Sequence, residues 1–392
     1  MKRKAVLWVL GFSALVAAAL VCVAVLSVCV DPFFHYHSPE TDRFYYSLDN
    51  QRSQNDGIVK HFEYQGIITG TSMAENFRTS EADSLFGCRF VKVPLEGATF
   101  RETGDLLRTA LTANPDVRFV IRGLDINKFG DDKDLMRTDL GEYPTYLYDG
   151  DIFNDVNYVF NRDVVFSRVL PTVLGLGGPE RRNGITSFDE YSNWMNDGGS
   201  PFGRKALYPD GVSRKKPKHR DDMLDIDMGM VRENIQYNVV ALAEAYPDVT
   251  FYCFFTPYSA KWWQQELESE RLDQQIEAER TAIEEILRCG NIRLYSFNSL
   301  TDITTDLNNY RDATHYGDWI NSLMLRYMYD GKCLLTAENY KAYLETEKDF
   351  YASYDYTLMN SQEDYEDDAV AGQLLYEEIY APPGGGSADS PA

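Results

Sequence analysis

Gly66-Ile67-Ile68-Thr69-Gly70-Thr71-Ser72 is a short apolar run that ends on a glycine and two hydroxyl residues, just before a helical stretch from Met73. A strand that hands over directly to a helix is the unit from which parallel sheets are wound. Downstream the unit recurs. Phe90-Val91-Lys92-Val93-Pro94 reads as a second strand, and 101–113 sets Leu106, Leu107, Ala110 and Leu111 at helical spacing before Asn114-Pro115 stops it. A third strand covers 117–121, followed much later by a helix over 231–246 and a strand over 249–255. A helix over 275–288, a strand over 292–297 and a helix over 318–329 complete the series. The pattern predicts an α/β fold, a doubly wound parallel sheet covered on both faces.

Between 127 and 227 the alternation breaks for far longer than the 2–6 residues or so usual in a βα connection. This stretch holds Pro144-Thr145-Tyr146, two short helices within 155–174, a glycine-rich segment over 175–184, and Trp194. It also carries Arg214-Lys215-Lys216-Pro217-Lys218-His219-Arg220, which suits an anionic polymer or lipid headgroups but equally a solvated loop. The stretch reads as an insertion that caps the site or holds substrate, or else as a structural elaboration away from any site. Residues 57–350 form the α/β domain, with 127–227 as its insertion. Residues 31–56, with Pro32 and Pro39, form a juxtamembrane collar, and 351–392 is an acidic, partly disordered tail ending in Pro-Pro-Gly-Gly-Gly-Ser and its neighbours.

Residues 5–30 contain no charge and follow Lys2-Arg3-Lys4. At about 1.5 Å per residue they span a hydrocarbon core of roughly 30 Å. The expectation is a single-pass anchor over 1–30, its basic end cytoplasmic and the domain extracellular at the cell membrane. A cleaved signal peptide is the rival, though its apolar region is usually only about 7–15 residues. Net charge is −23, which argues against nucleic acid, whose binding rests on neutralising phosphates. With 27 Tyr and 21 Phe the exported part has ample material for a core. Cys88, Cys253, Cys289 and Cys333 lie outside the apolar span without metal-ligand spacing, and four cysteines allow three pairings. Cys253, inside Phe251-Tyr252-Cys253-Phe254-Phe255, is expected as a buried free thiol.

In an open α/β sheet, ligands bind beyond the carboxyl ends of the strands. Ser72 occupies such an end, where a hydroxyl on a tight turn meets backbone N–H groups of a helix start. A helix-capping serine has the same pattern. A serine nucleophile needs a histidine oriented by a carboxylate. Of five histidines, His315 follows the last strand and precedes the last helix, with Asp312 three residues upstream. Thr256-Pro257-Tyr258-Ser259, after the fourth strand, is expected to line the same cleft; Tyr258, Trp262 and Trp263 suit sugar faces where exposed, and packing of the two Trp residues is the equal alternative.

Gly70-Thr71-Ser72 and Asp312-x-x-His315 resemble the first and last blocks of the SGNH/GDSL hydrolase superfamily. The resemblance implies a flavodoxin-like sheet with Ser72, His315 and Asp312 as catalytic residues. In that family a second block supplies a glycine N–H to the oxyanion hole, and Gly97 in Glu96-Gly97-Ala98 stands in its position. A third block supplies an asparagine in Gly-x-Asn-Asp. Here the third strand ends Arg122-Gly123-Leu124-Asp125-Ile126-Asn127, so Asp125 or Asn127 would have to substitute. Together with the anchor and the Thr-His-Tyr-Gly ending, the layout resembles membrane-anchored envelope O-acyltransferases and esterases. It implies transfer of a small acyl group to, or its removal from, a cell-envelope glycopolymer. The partners implied are that polysaccharide and an acyl donor, with room for a membrane-embedded acyl-donor protein; no cofactor is needed.

Two other readings stand beside it. One is a catalytically silent binding or scaffold protein of an envelope assembly, which the missing asparagine favours. The other is a metal site on Asp31, His35 and His37, whose alternating histidines would share one face of a strand.

Overall fold

A computed structural model of the chain describes residues 2–139, 143–176, 183–197, 201–213, 215–218 and 225–364. The strand β1 (Gly66–Thr69) lies between β2 (Phe90–Lys92) and β3 (Phe119–Leu124), and β4 (Thr250–Phe255), β5 (Ile292–Ser296) and β6 (Leu334–Leu335) follow. The six-stranded order is β2-β1-β3-β4-β5-β6, parallel from β2 to β5. β6 runs antiparallel, pairing Leu334 and Leu335 with Tyr295 and Leu294. The sheet is therefore mostly rather than wholly parallel, because its last edge is closed by a two-residue strand too short to show any periodicity in sequence.

Besides short helical turns at Val156–Val159, Leu170–Val173, Arg204–Leu207 and Thr301–Thr305, the helices among the described residues are α1 (Lys2–Val30), α2 (Gln51–His61), α3 (Thr79–Phe86), α4 (Phe100–Ala113), α5 (Met228–Ile235), α6 (Ala241–Ala245), α7 (Ala260–Glu268), α8 (Leu272–Ile286), α9 (Asp318–Asp330) and α10 (Tyr340–Ser353). A π-helical stretch, Gln236–Val240, joins α5 to α6. In α4 a capping box starts the helix: the Thr99 hydroxyl accepts from the Glu102 N–H, and the Glu102 carboxylate accepts from the Thr99 N–H. No helix runs on from Met73. The Thr71 hydroxyl accepts from the Met73 N–H and closes a single 3-10 turn, Ser72–Ala74, and α3 begins only at Thr79.

Two boundaries read from sequence move. The collar is not a spacer: α2 starts within it at Gln51, capped by Asn50, and buries Gln54, Asn55 and Asp56. Phe34, Tyr46 and Leu48 join the main core, and the chain at Phe33–Phe34 lies so close to Gly57 that a Cβ there would sit 2.3 Å from the Phe33 carbonyl oxygen. The start of the predicted tail is also folded: α10 crosses residue 351, Tyr351 donates to the Asn298 carbonyl, and Met359 is fully buried. The last described residue is 364, so the terminal Pro-Gly-rich segment lies outside the described residues, as do parts of the glycine-rich and basic segments.

The helix α1 is long and apolar enough to cross a membrane. Its last turn packs into a second, smaller core: Val30 and Phe33 meet Leu147, Tyr158, Val159, Val164 and Val169 of the insertion. Tyr45–Tyr46 and Gly184–Ile185 pair as a short parallel ribbon, which ties the collar to the insertion again. All six cysteines are free, and burial pushes the Cys253 thiol up to about 12.

Arg122, in the middle of β3, is fully buried with no carboxylate as hydrogen-bond partner. Its guanidinium donates to the Asn238 and Phe100 carbonyls and to the Thr103 hydroxyl, bolting the sheet to α4 and to the π-helical stretch. Arg122→Ala removes those bonds and opens a cavity, so it should cost about 3–5 kcal/mol. The check is a urea midpoint that falls while the denaturant slope stays constant.

Candidate active site

Gly70 ends β1 at φ +150, and a Cβ there would touch that of Ala74 at 3.0 Å. The chain thus turns tightly into Ser72, the first residue of the 3-10 turn. The Ser72 Oγ lies 2.9 Å from His315 Nε2, and His315 Nδ1 lies 2.7 Å from Asp312 Oδ2. With the proton held on Nδ1 by Asp312, Nε2 is the acceptor for the serine hydroxyl. The other Asp312 oxygen accepts from the N–H groups of Thr314 and His315. Partial burial works against the Asp312 charge, but the bonds from the His315 ring and from these two N–H groups outweigh it. Its carboxyl is held well below the usual carboxylate range.

The loop that carries Asp312 and His315 is pinned from three sides. Ser259 donates to the Ala313 carbonyl through both its N–H (3.1 Å) and its hydroxyl (2.8 Å), and the Tyr310 hydroxyl donates to the Pro257 carbonyl at 2.8 Å. The Gly203 N–H of the insertion donates to the Tyr310 carbonyl. Tyr316 and Asn321 both donate to the Met73 carbonyl, fastening this end of the chain to the turn of Ser72.

Ser72 and His315 open into a cleft of about 740 Å³, within the usual size of ligand sites. The collar and α2 contribute Gln51 and Arg52, the turn after β2 contributes Glu96, and the insertion contributes Glu190, Asn193 and Trp194. The Trp194 indole N–H donates to the Ser72 carbonyl (3.3 Å), and its ring meets the His315 ring at 89° and 5.9 Å. The Arg311 guanidinium stacks 4.0 Å from the same indole and makes no ion pair among the described residues.

Three of the expected site residues converge, and four do not border the cleft. Tyr258 is buried and donates to Asn127 Oδ1 at 3.1 Å, so these two satisfy each other behind the site. Asp125 is buried under the Ser72 turn, where one carboxylate oxygen accepts from the Thr71 hydroxyl at 2.6 Å. Burial raises its pKa against that bond. Gly97 sits at φ +60 in the turn Leu95 to Ala98, next to the Ser72 turn because the Leu95 N–H donates to the Gly70 carbonyl. It is Glu96 rather than Gly97 that faces the cleft. Residues 256–259 do not line the cleft either; they are the post for the histidine loop. Trp262 and Trp263 are packed, Trp263 stacking on Tyr351 at 4.3 Å, so they offer no face to a sugar.

Asp31, His35 and His37 do not form a ligand set. They lie in a turn, not a strand, and the Asp31 carboxylate accepts from the N–H groups of His35, Tyr36 and His37 and from the Tyr158 hydroxyl. The His35 ring pairs instead with Asp155 at 3.1 Å. Among the described residues no group of three His, Cys, Asp or Glu is arranged to hold a metal ion.

Sequence reasoning missed Gln51, Arg52, Glu75, Glu96, Glu190, Asn193 and Arg311 as cleft residues. Glu75, three residues beyond Ser72, is buried at the cleft wall. Burial pushes its carboxyl up to about 7 against a hydrogen bond from Gln51. Beneath it Lys92 is buried and donates to the Glu75 carbonyl, its amine brought down to about 7 by burial. No family model, curated protein or solved structure matches this chain.

A buried carboxyl whose folded pKa is raised keeps its proton while the unfolded chain loses it. Its contribution to stability is therefore complete below about pH 4.5 and is lost as pH rises towards about 7. Glu75→Gln removes that dependence. The variant's stability relative to the unsubstituted protein should improve by about 2–3 kcal/mol between pH 4.5 and 7.5. Urea titrations at the two pH values test this, and a difference that does not change with pH would show that Glu75 titrates normally.

Proposed function

We propose that this protein is a membrane-anchored, extracytoplasmic SGNH-type serine enzyme. Its reaction is O-acyl transfer, of an acetyl-type group, to a cell-envelope glycopolymer, with ester hydrolysis as the leak. One observation carries the reading: the unbroken Ser72–His315–Asp312 relay at a strand's carboxyl end. The parallel order β2-β1-β3-β4-β5 supports a flavodoxin-like SGNH fold, since ligands bind where such an order reverses, between β1 and β3. The three basic residues ahead of the apolar helix support a cytoplasmic N-terminus and an external domain.

In this mechanism Ser72 Oγ attacks the acyl carbonyl as its proton passes to His315 Nε2, and Asp312 stabilises the imidazolium. The Ser72 N–H makes no hydrogen bond among the described residues and is the donor offered to the developing oxyanion; Gly97 lies off the cleft and is not assigned this role. His315 then returns the proton to the leaving group. A sugar hydroxyl or water attacks the ester on Ser72 as His315 takes its proton, and His315 returns that proton to Ser72 Oγ as the acyl–Oγ bond breaks. The cleft wall suits a polyol: Gln51, Asn193 and Ser192 offer both donors and acceptors, and Trp194 offers an aromatic edge.

Ser72→Ala and His315→Ala should each lower hydrolysis of a small acetyl ester by the full chain by about 10³-fold or more, and the double variant should be no worse. Asp312→Asn should cost about as much or somewhat less, through the wrong tautomer. A fluorophosphonate should label the protein but not Ser72→Ala; retained labelling would place the nucleophile elsewhere.

Direction of transfer is read in cells. Loss of the protein should reduce ester-linked acyl groups on wall polymers. An increase would make it a deacylase, and an unchanged level with failed assembly would favour the silent scaffold.

A further inference from the structure

Residues 152–176 of the insertion concentrate exposed apolar side chains. Ile152, Phe153, Val156, Phe166, Leu174 and Leu176 all face solvent, Phe153 with 85 % of its surface. The segment is two-sided. Val159, Val164 and Val169 turn inward and close the small core around Phe33 and Tyr158. Large apolar groups gathered on one short segment mark an interaction surface.

The neighbour of this surface indicates what covers it. The inward side packs against the end of α1, where Val30 is buried and the Ser27 hydroxyl donates to the Val159 carbonyl at 2.9 Å. Ahead of that contact, residues 5–22 are exposed along their length. They rise about 27 Å at 1.5 Å per residue, close to the roughly 30 Å of a hydrocarbon core. The docked turn thus falls where the helix leaves the bilayer, and a segment packed on that turn falls at the same depth. Within the segment Arg162 and Arg168 are offset by Asp155 and Asp163, and Arg168 already pairs with Asp49 at 2.7 Å, so its affinity would come from apolar area and not from basic groups meeting anionic headgroups.

We infer that the exposed face of residues 152–176 inserts into the headgroup–acyl boundary of the bilayer. The end of α1 and the insertion then form a two-point mount that holds the cleft at a set height and tilt. The inference rests on α1 being a membrane span and is independent of the chemistry at Ser72.

The test uses the full chain in phosphatidylcholine vesicles, with photoreactive benzoylphenylalanine replacing one residue at a time. Phe153→benzoylphenylalanine and Phe166→benzoylphenylalanine probe the face. Leu15→benzoylphenylalanine probes α1, and Leu358→benzoylphenylalanine probes an exposed apolar site elsewhere on the domain. After illumination, lipid adducts at 153 and 166 should approach those at 15 and exceed those at 358 at least tenfold. Adducts at 15 with only background at 153 and 166 overturn the docking face and leave the span intact. Adducts from 153 or 166 to a second copy of the chain also overturn it. Loss of the adduct at 15 overturns the span on which the inference stands.

Discussion

The Met73 carbonyl is the point at which the two ends of the α/β fold are joined. It accepts from the Tyr316 hydroxyl at 3.3 Å and from Asn321 at 3.0 Å, so the turn of Ser72 and the start of α9 are bonded to one atom. Ser72 and His315 are 243 residues apart, and their 2.9 Å approach depends on that junction. A loop held only by its own backbone would wander by more than the ångström or so that separates a productive geometry from one about a hundredfold worse. Here the loop is also fixed to Ser259, to Pro257 and to Gly203 of the insertion, so its position is over-determined. Burying Tyr310 and Tyr316 on either side of His315 excludes water from the supports while leaving the imidazole edge open to the cleft.

Much of this was legible locally. The strands of the sheet are runs of apolar residues with clear stops, and Ser72, Asp312 and His315 occupy a strand end and a late loop, positions that topology alone brings together. What could not be read depends on contacts distant in sequence. Gln51 and Arg52 look like ordinary polar residues of a linker until Phe34, Tyr46 and Leu48 are seen to bury that linker in the main core. Trp194 is one aromatic in an irregular stretch, and its place is set by contacts distant in sequence, the bond to the Ser72 carbonyl and the Arg311 guanidinium stacked on its ring. Residues 256–259 were assigned to the cleft because strand ends usually line one. In this fold that strand end is occupied by the histidine loop itself, and Tyr258 turns away to Asn127.

The insertion links two tasks that its sequence keeps apart. Residues 145–174 build the small core on the end of α1, whereas 189–194 and 202–203 reach the loop of Asp312 and His315. Asp189 adds a tie between them and the sheet layer: it accepts from the Thr79 hydroxyl and from the Ser80 N–H, capping α3, whose own first residues offer no capping side chain. A displacement of the insertion would therefore be felt at the helix that follows Ser72 and at the indole beside His315. Such ties link the packing of the insertion on α1 to the geometry around Ser72 and His315.

A net charge of −23 would oppose the docking inferred for residues 152–176, since like charges repel and membrane surfaces are commonly anionic. The range of the two forces resolves this. Repulsion between exposed charges decays over a Debye length of about 8 Å at physiological ionic strength, whereas apolar contact acts only at the touching surface. The acidic residues are spread over the whole domain, but the surface beside α1 is dominated by Phe153, Phe166 and their apolar neighbours. A covalently tethered face also needs little intrinsic affinity, because the tether holds it at an effective concentration on the order of millimolar. The charge then has a separate consequence. If the face of residues 152–176 rests on lipid, the charge would keep the remainder of the domain off it, so that the polar cleft, flanked by Glu75, Glu96 and Glu190, would face the aqueous layer.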